Sequence, residues 1–424
     1  MGNQNVRAVP LDNANWVQGK PILISSDMKK PLLLDFWTFG CMNCLNIIPD
    51  LKLLENMFGD DLDIVSIHTP KFEKEQNIKS LKKSLDFLDI SHSVIADNDA
   101  CLWDAYAVKA WPTWILVDPS GYVALHEQGE GHLQKFAQAI QSFIDVPAKE
   151  EPFVSTKKDM SVIEVSKDWM TIGCQSELDI YTGDKKVKTV KGFSMISGLL
   201  IVDDTVFVAD RYRGEVSIID LNSYAQKILV KGLRAPYGLE FIHSNLFISL
   251  AGSHKITVVN LDTLQTQEIA GNGFEGLRDG VGDQVLLAQP QALAFDEDRL
   301  WFLDTETSSL RYMLGREVFT EFGEGLFSFG DDNKKLLLQH PQDMTLGRYG
   351  DGCGVGRLFI ADTYNDKIKV YDPEDKSMQT LVEDIEMPIS ISKSGCRLYI
   401  ICLGKEKPYV FDLKVMKLES LELI

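Results

Sequence analysis

Hydrophobic positions repeat differently in the two halves of the chain. Up to about Ile144, short apolar runs alternate with segments whose apolar residues recur every three or four positions. Pro31–Trp37 is a continuous apolar run, the pattern of a strand buried on both faces. Ile47, Leu51, Leu54 and Phe58 then predict a helix, Leu62–Ile67 a second buried strand, and Ile78, Leu81, Leu85 and Leu88 a second helix. Val94–Ala96 reads as a short strand. Trp114–Val117 and Tyr122–Leu125 flank the turn sequence Asp118-Pro119-Ser120-Gly121 and predict a hairpin. Leu133, Phe136, Ile140 and Ile144 predict a last helix. This alternation implies an α/β layer around a central sheet.

Beyond Glu150 no long helical period remains. A short pattern recurs instead: an apolar-aromatic-apolar strand ending in a polar turn. Its copies are 169–173, 206–210, 246–250, 300–304, 358–362 and 398–402, with Pro236, Pro290, Pro341 and Pro388 ahead of several of them. All-β units of about 40–60 residues that stack on their neighbours predict propeller blades. Six are expected, or five if the degenerate first copy is not a blade. The predicted domains are residues 1–148 and 149–424, joined by a charged linker at Val146–Pro152.

Charge narrows the partners. The chain carries 43 Lys and Arg against 62 Asp and Glu, a net charge of −19. Residues 1–150 contribute 13 against 20 and the remainder 30 against 42. Phosphate backbones need a basic face, so neither nucleic acid nor an anionic membrane is an expected partner. No run approaches the roughly 18 apolar residues of a spanning helix, and Met1–Pro21 has no apolar signal core. A cytoplasmic monomer is expected, although a secreted or periplasmic chain that had lost its leader would read the same way.

Seven cysteines, an odd and sparse set, do not suggest a disulfide framework. Cys101, Cys174, Cys353, Cys396 and Cys402 read as isolated core residues in a reducing compartment. Cys41 and Cys44 form a C-x-x-C where a buried strand gives way to a helix. Backbone N–H groups at a helix start favour a thiolate there, and the thiolate is the species that attacks disulfides. The spacing makes Cys41 the attacking thiol and Cys44 the deeper, resolving one. Half of a zinc site, or two inert cysteines, are the other readings of this pair; zinc needs a second ligand pair, and no motif supplies one. No metal and no cofactor are expected.

Further residues favour redox chemistry. Asp35 lies inside the apolar strand, where a carboxylate is costly and its pKa should rise; such a group suits proton removal from Cys44. Pro112, in Trp111-Pro112-Thr113, stands just before a strand, and a cis bond would explain its place. Pro49 should kink the helix after the cysteines. Thr38 stands three residues before Cys41, as in peroxide-reducing thiol enzymes, but those also want a proline where this chain has Leu34. His68 follows a buried strand, a position that could reach the site.

Asp35-Phe36-Trp37, Cys41-x-x-Cys44, Pro49 and Trp111-Pro112-Thr113 resemble the thioredoxin fold family in order and spacing. The run Ala110–Gly121 is most similar to its TlpA/ResA-like branch. The resemblance implies Cys41 as nucleophile, Cys44 as resolving cysteine, Asp35 as proton acceptor and Pro112 as a cis-proline. It implies a substrate groove bordered by Trp37, Met42, Asn43, Trp111 and Thr113. The dipeptide Met42-Asn43 replaces the Gly-Pro of thioredoxin, and the strand Leu62–Ile67 offers no lysine to pair with Asp35. In the second half, Ile360–Lys369 and the loop Gly276–Gly280 resemble NHL repeats, so the whole order resembles NHL-repeat-containing thioredoxin-like proteins. The implied activity is thiol–disulfide exchange with protein thiols or disulfides, with the propeller as a protein-binding module. The competing reading is a scaffold or redox sensor that acts through propeller-mediated binding. On the propeller, Asp210, Asp304 and Asp362 are expected to bond the following turns, which also hold Asn365, and the Arg and Tyr residues there, Arg211, Tyr212, Arg213 and Tyr364, are candidate contacts for a protein or peptide on one rim.

Overall fold

The computed structural model describes residues 6–144, 159–296, 298–325, 329–348, 350 and 352–424. It divides into two compact units, Met1–Val154 and Ser155–Ile424. The linker expected at Val146–Pro152 lies outside the described residues.

The first unit holds one six-stranded sheet: β1 (Trp16–Gln18), β2 (Leu32–Trp37), β3 (Asp63–His68), β4 (Ser93–Ala96), β5 (Thr113–Val117) and β6 (Val123–Gln128), in the order β1-β4-β3-β2-β5-β6. β2 and β3 run parallel, as do β3 and β4, whereas β5 is antiparallel to β2. All six residues of β2 are buried, which explains a run that is apolar at every position but Asp35. One face packs Leu33, Leu116, Leu51, Leu54, Phe136 and Ile140 together; the other packs Leu34, Phe36, Ile67, Ile115 and Tyr106. The hairpin turn closes through Asp118, whose carboxylate accepts the backbone N–H groups of Ser120 and Tyr122, both at 2.9 Å.

The cysteines open α1 (Met42–Asn46). The chain breaks at Ile47 and starts again as α2 (Ile48–Phe58). Pro49 therefore does not kink one continuous helix, as its position suggests. It stands in the first turn of a second helix, where its missing N–H costs nothing. α3 (Ile78–Phe87) begins at Asn77, whose side chain accepts from Lys79 and Ser80 at 2.9 and 3.2 Å. α4 (Cys101–Ala105) and β1 are too short to leave a periodic signal. α5 (Leu133–Gln141) ends the unit as its apolar spacing predicts.

The second unit is a six-bladed all-β propeller: six antiparallel sheets, five of four strands and one of five. The recurrent pattern is the second strand of each blade, including the degenerate first copy, now Met170–Cys174. The count is six, not five. Hydroxyls tie neighbouring blades: Ser161 and Ser197, on inner strands, donate to the Ile196 and Pro236 carbonyls, and Thr305 and Thr363, in the turns after two second strands, donate to Pro341 and Pro388, all at 2.6–2.9 Å. The ring closes where Ser390 and Ser392 accept the N–H groups of Ile163 and Val165, at 3.2 and 3.0 Å.

Two expectations about cysteine fail here. Cys353 and Cys396 form a disulfide that joins residues 43 apart, and Cys101 is exposed. Sparse numbers hide the pair, because two loops that neither composition nor periodicity relates bring it together.

Candidate redox site

Cys41 is the N-cap of α1 and is held by two backbone bonds: its N–H donates to the Thr38 carbonyl at 3.1 Å, and its carbonyl accepts from Leu45 at 3.0 Å. The first turn places Cys44 against it. Burial pushes the Cys44 thiol well above its ordinary pKa; the hydrogen bond it donates to Cys41 and the nearby charges of Cys41 and Asp35 add to that, against one backbone bond from Thr38. Burial thus disfavours the Cys44 thiolate, the form that attacks disulfides. Both sulfurs are enclosed, at 2% and 1% residue exposure.

Asp35, in the middle of β2, lies near enough to Cys44 for its charge to act on the thiol. Its two oxygens accept from the Ser66 hydroxyl (2.9 Å) and the Trp114 indole N–H (3.2 Å). Burial raises its carboxyl to about 6, against the Ser66 bond, the His92 charge and the Trp114 bond, which pull it down. At neutral pH it is ionised yet a stronger base than an exposed aspartate. On β3, which offers no lysine, Ser66 stands in register with Asp35. Ser66 in turn lies 2.8 Å from His92 Nε2, and His92 Nδ1 lies 2.7 Å from Glu55. Sequence reasoning misses all three; each is an ordinary polar residue until the sheet brings them into one line.

Of the residues expected to border a groove, Trp111 and Thr113 flank Pro112 where the chain leads into β5. The bond Trp111–Pro112 is cis, and the Pro112 carbonyl accepts from Gly129 at 2.8 Å. Trp111 donates to the Thr69 carbonyl at 3.0 Å, packs 4.2 Å from Trp103 and carries the Lys71 ammonium over its ring. Thr113 is fully buried, and its hydroxyl donates to the Ala110 carbonyl at 2.7 Å, so it shapes the loop from inside. Trp37 is buried with its edge toward His68, Met42 is buried, and Asn43 is half-buried. Thr38 donates to Glu75 at 2.7 Å and lies 3.2 Å from His68 Nε2. His68 stacks on Phe39, and burial lowers its pKa to about 3, so the ring is neutral.

The sign of the Asp35 shift gives a stability prediction. Its pKa is raised on folding from 3.8 to about 6, so the folded state binds that proton more tightly. Stability is greatest where Asp35 is protonated in both states, below pH 4. It falls as pH rises toward 6 and is flat above, a cost of about 3 kcal/mol at neutral pH. Asp35→Asn should therefore stabilise the protein by about 1–3 kcal/mol at pH 7.5 and by far less at pH 4. Urea unfolding at both pH values checks this; an equal change at both would mean that Asp35 is held charged at no cost.

In the propeller the three aspartates are buried and structural, but the backbone N–H groups they accept from lie mainly before them in the chain rather than in the following turns. Asp210 accepts from Ser194 and Met195, Asp304 from Ala288 and Asp362 from Gln339, at 2.7–3.1 Å, and the Arg213 N–H reaches from the following turn to Asp210 at 3.2 Å. Arg211 and Tyr364 are buried, and Asn365 is tied to Gly330 and Asp362. Of the expected rim contacts Arg213 keeps an open side chain, 47% exposed. The inner strands instead line a cavity of about 770 Å³ that holds Glu164, Glu240 and Asp343. Burial raises Glu164 to about 8 and Asp343 to about 6, and Arg348 binds both oxygens of Glu240 at 3.1 Å.

Known proteins match both units. Residues 29–123 match the thioredoxin-like family model. The chain is 25% identical to NHL repeat-containing protein 2 of Homo sapiens, over 96% of this chain and 70% of that protein. It is 25% identical to "Protein SUPPRESSOR OF QUENCHING 1, chloroplastic" of Arabidopsis thaliana, over 87% of this chain. It spans only 41% of that plant protein's length. The chain is also 25% identical to thiol-disulfide oxidoreductase YkuV of Bacillus subtilis, over 27% of this chain and 77% of that protein. The chain is thus a thioredoxin-like domain followed by a six-bladed β-propeller, similar over most of its length to NHL repeat-containing protein 2.

Proposed function

We propose that the first unit is a thiol–disulfide oxidoreductase. The observation that carries this is the Cys41–Cys44 pair at the start of α1, with Cys44 donating to Cys41 and the raised carboxyl of Asp35 beside it. Cys41 thiolate attacks a substrate disulfide, forming a mixed disulfide and releasing one substrate thiolate. Asp35 takes the Cys44 proton. Cys44 then attacks Cys41, closing the Cys41–Cys44 bond and releasing the second substrate thiolate. The likeness to YkuV supports the exchange activity. The propeller serves as a protein-binding module, in keeping with its acidic charge, and nucleic acid is not its ligand. Among the described residues no helix is long and apolar enough to cross a membrane.

The enclosure of both sulfurs favours a second reading, a redox-sensing arm that exchanges slowly. Mixing the reduced protein with insulin separates the two. An oxidoreductase loses two alkylatable thiols while insulin chains separate, repeatedly when a small dithiol resupplies electrons. A single slow oxidation without turnover would favour the sensor.

A further inference from the structure

The buried carboxylate of a dithiol site must pass on each proton it collects. Asp35 bonds two side chains, the Trp114 indole and the Ser66 hydroxyl, and of these Ser66 leads on to ionisable groups. From Ser66 the contacts continue outward: 2.8 Å to His92 Nε2, then 2.7 Å from His92 Nδ1 to Glu55 Oε1. Exposure rises along the line. Ser66 is fully buried, the His92 side chain is 8% exposed and that of Glu55 is 24% exposed. The residues come from β2, β3, the turn before β4, and α2, so the fold, not local sequence, assembles them.

We propose that Ser66, His92 and Glu55 form the route by which the proton taken from Cys44 leaves Asp35 for solvent. The proposal rests on the exchange reading above. When Asp35 is charged, the Ser66 hydroxyl donates to it. Once Asp35 holds the proton, the direction reverses: Asp35 O–H turns to Ser66 Oγ and its proton transfers there as the Ser66 proton passes to His92 Nε2. The Nδ1 proton passes to Glu55 and then to water. One proton enters at Asp35 and one leaves at Glu55; no electron moves along the line. The transfer runs through the neutral ring: when His92 carries one ring proton, a Glu55 carboxylate facing Nδ1 favours the Nδ1–H tautomer, which leaves Nε2 open to accept.

The charged groups around the line fit an exit. Burial alone would raise Glu55, yet the His92 bond and charge, with Lys52, hold it below its ordinary value, ready to release a proton. Lys52 is itself paired with Asp89 at 3.0 Å. At the inner end the Asp35 charge acts on Cys44, and its carboxylate accepts from the Trp114 indole. Ser66, His92 and Glu55 are positioning residues, since they act on the sulfurs only through Asp35.

Single-turnover mixing with a peptide disulfide separates attack by Cys41 from resolution by Cys44. In Ser66→Ala and His92→Gln, attack should hold within about twofold, while resolution slows about tenfold to a hundredfold. Glu55→Gln, a change at a more open position, should slow resolution in the same direction and keeps the test available if a buried variant fails to fold. Added to Asp35→Asn, Ser66→Ala should slow resolution no further, because the route has lost its origin. The proposal is overturned if Ser66→Ala and Glu55→Gln resolve at the wild-type rate, or if Ser66→Ala slows the Asp35→Asn protein by the same factor as the wild type. If Asp35→Asn itself resolves normally, Asp35 is not the base and the route has no proton to carry. If the wild type performs no attack at all, the exchange reading fails first.

Discussion

Cys41→Ser should abolish insulin reduction, with turnover at least about a thousandfold below wild type, because no other thiol stands at the start of α1 in position to attack. The other cysteine of this unit outside the pair is Cys101, on α4. Cys44→Ser should also lose turnover, but for a different reason. The first step survives and the enzyme stops as a mixed disulfide, so it should retain partners through bonds that a reductant releases. Raised well above its ordinary value by burial, the Cys44 thiol is a poor first nucleophile. A Cys41→Ser protein that trapped partners as well as Cys44→Ser would reverse the assignment.

The second large effect is in the propeller. Arg311 is fully buried. It donates to Asp304 and the Leu286 carbonyl at 2.7 and 2.8 Å, and to Asp279 and the Arg278 carbonyl at 3.0 Å. Lys369 stands at the equivalent place one blade on, seven residues after Asp362 as Arg311 is after Asp304, and bonds Asp362 and Asp331 at 2.9 Å. In the second blade that position is Ser217, with no cation. Arg311→Met should cost about 3–5 kcal/mol, because it strands the buried Asp304 carboxylate. The double change Asp304→Leu with Arg311→Met should recover much of that loss, since the unpaired charge is gone. Urea unfolding followed in the separate transitions of the two units reads both numbers; a cost under about 1 kcal/mol for Arg311→Met would mean that Asp304 is rescued by protonation or by the Ala288 N–H alone.

Much of this architecture is legible in the sequence because the relevant signals are local. The β2 run is apolar at every position except Asp35, so that carboxylate stands out as an anomaly from its neighbours alone. The blade pattern is legible because the second strand of each blade is largely buried and most copies keep an aromatic centre. The outer strands, such as Lys185–Lys191 and Gln226–Val230, are mostly exposed and carry no such signature. What the sequence hides is non-local. Ser66, His92 and Glu55 meet only after three elements pack together. Cys353 and Cys396 meet only when two propeller loops do. Pro49 reads as a kink because apolar spacing from Ile47 onward is continuous, and spacing alone does not show that α1 has already ended at Asn46. Residue type alone marks Arg211 and Tyr364 as contacts, but both are buried, Arg211 beside Tyr212 and Tyr237 and Tyr364 stacked 4.6 Å from His340.

The central claim is that Cys41 attacks and Cys44 resolves, and the most direct measurement is the mass of the adduct each single-cysteine protein forms. Reduced Cys44→Ser and Cys41→Ser, mixed separately with a peptide disulfide at neutral pH and quenched with acid, should differ: a rapid stoichiometric peptide adduct mapped to Cys41 in the first, and little or none on Cys44 in the second. Adducts forming equally fast at both positions, or faster on Cys44, would contradict the account.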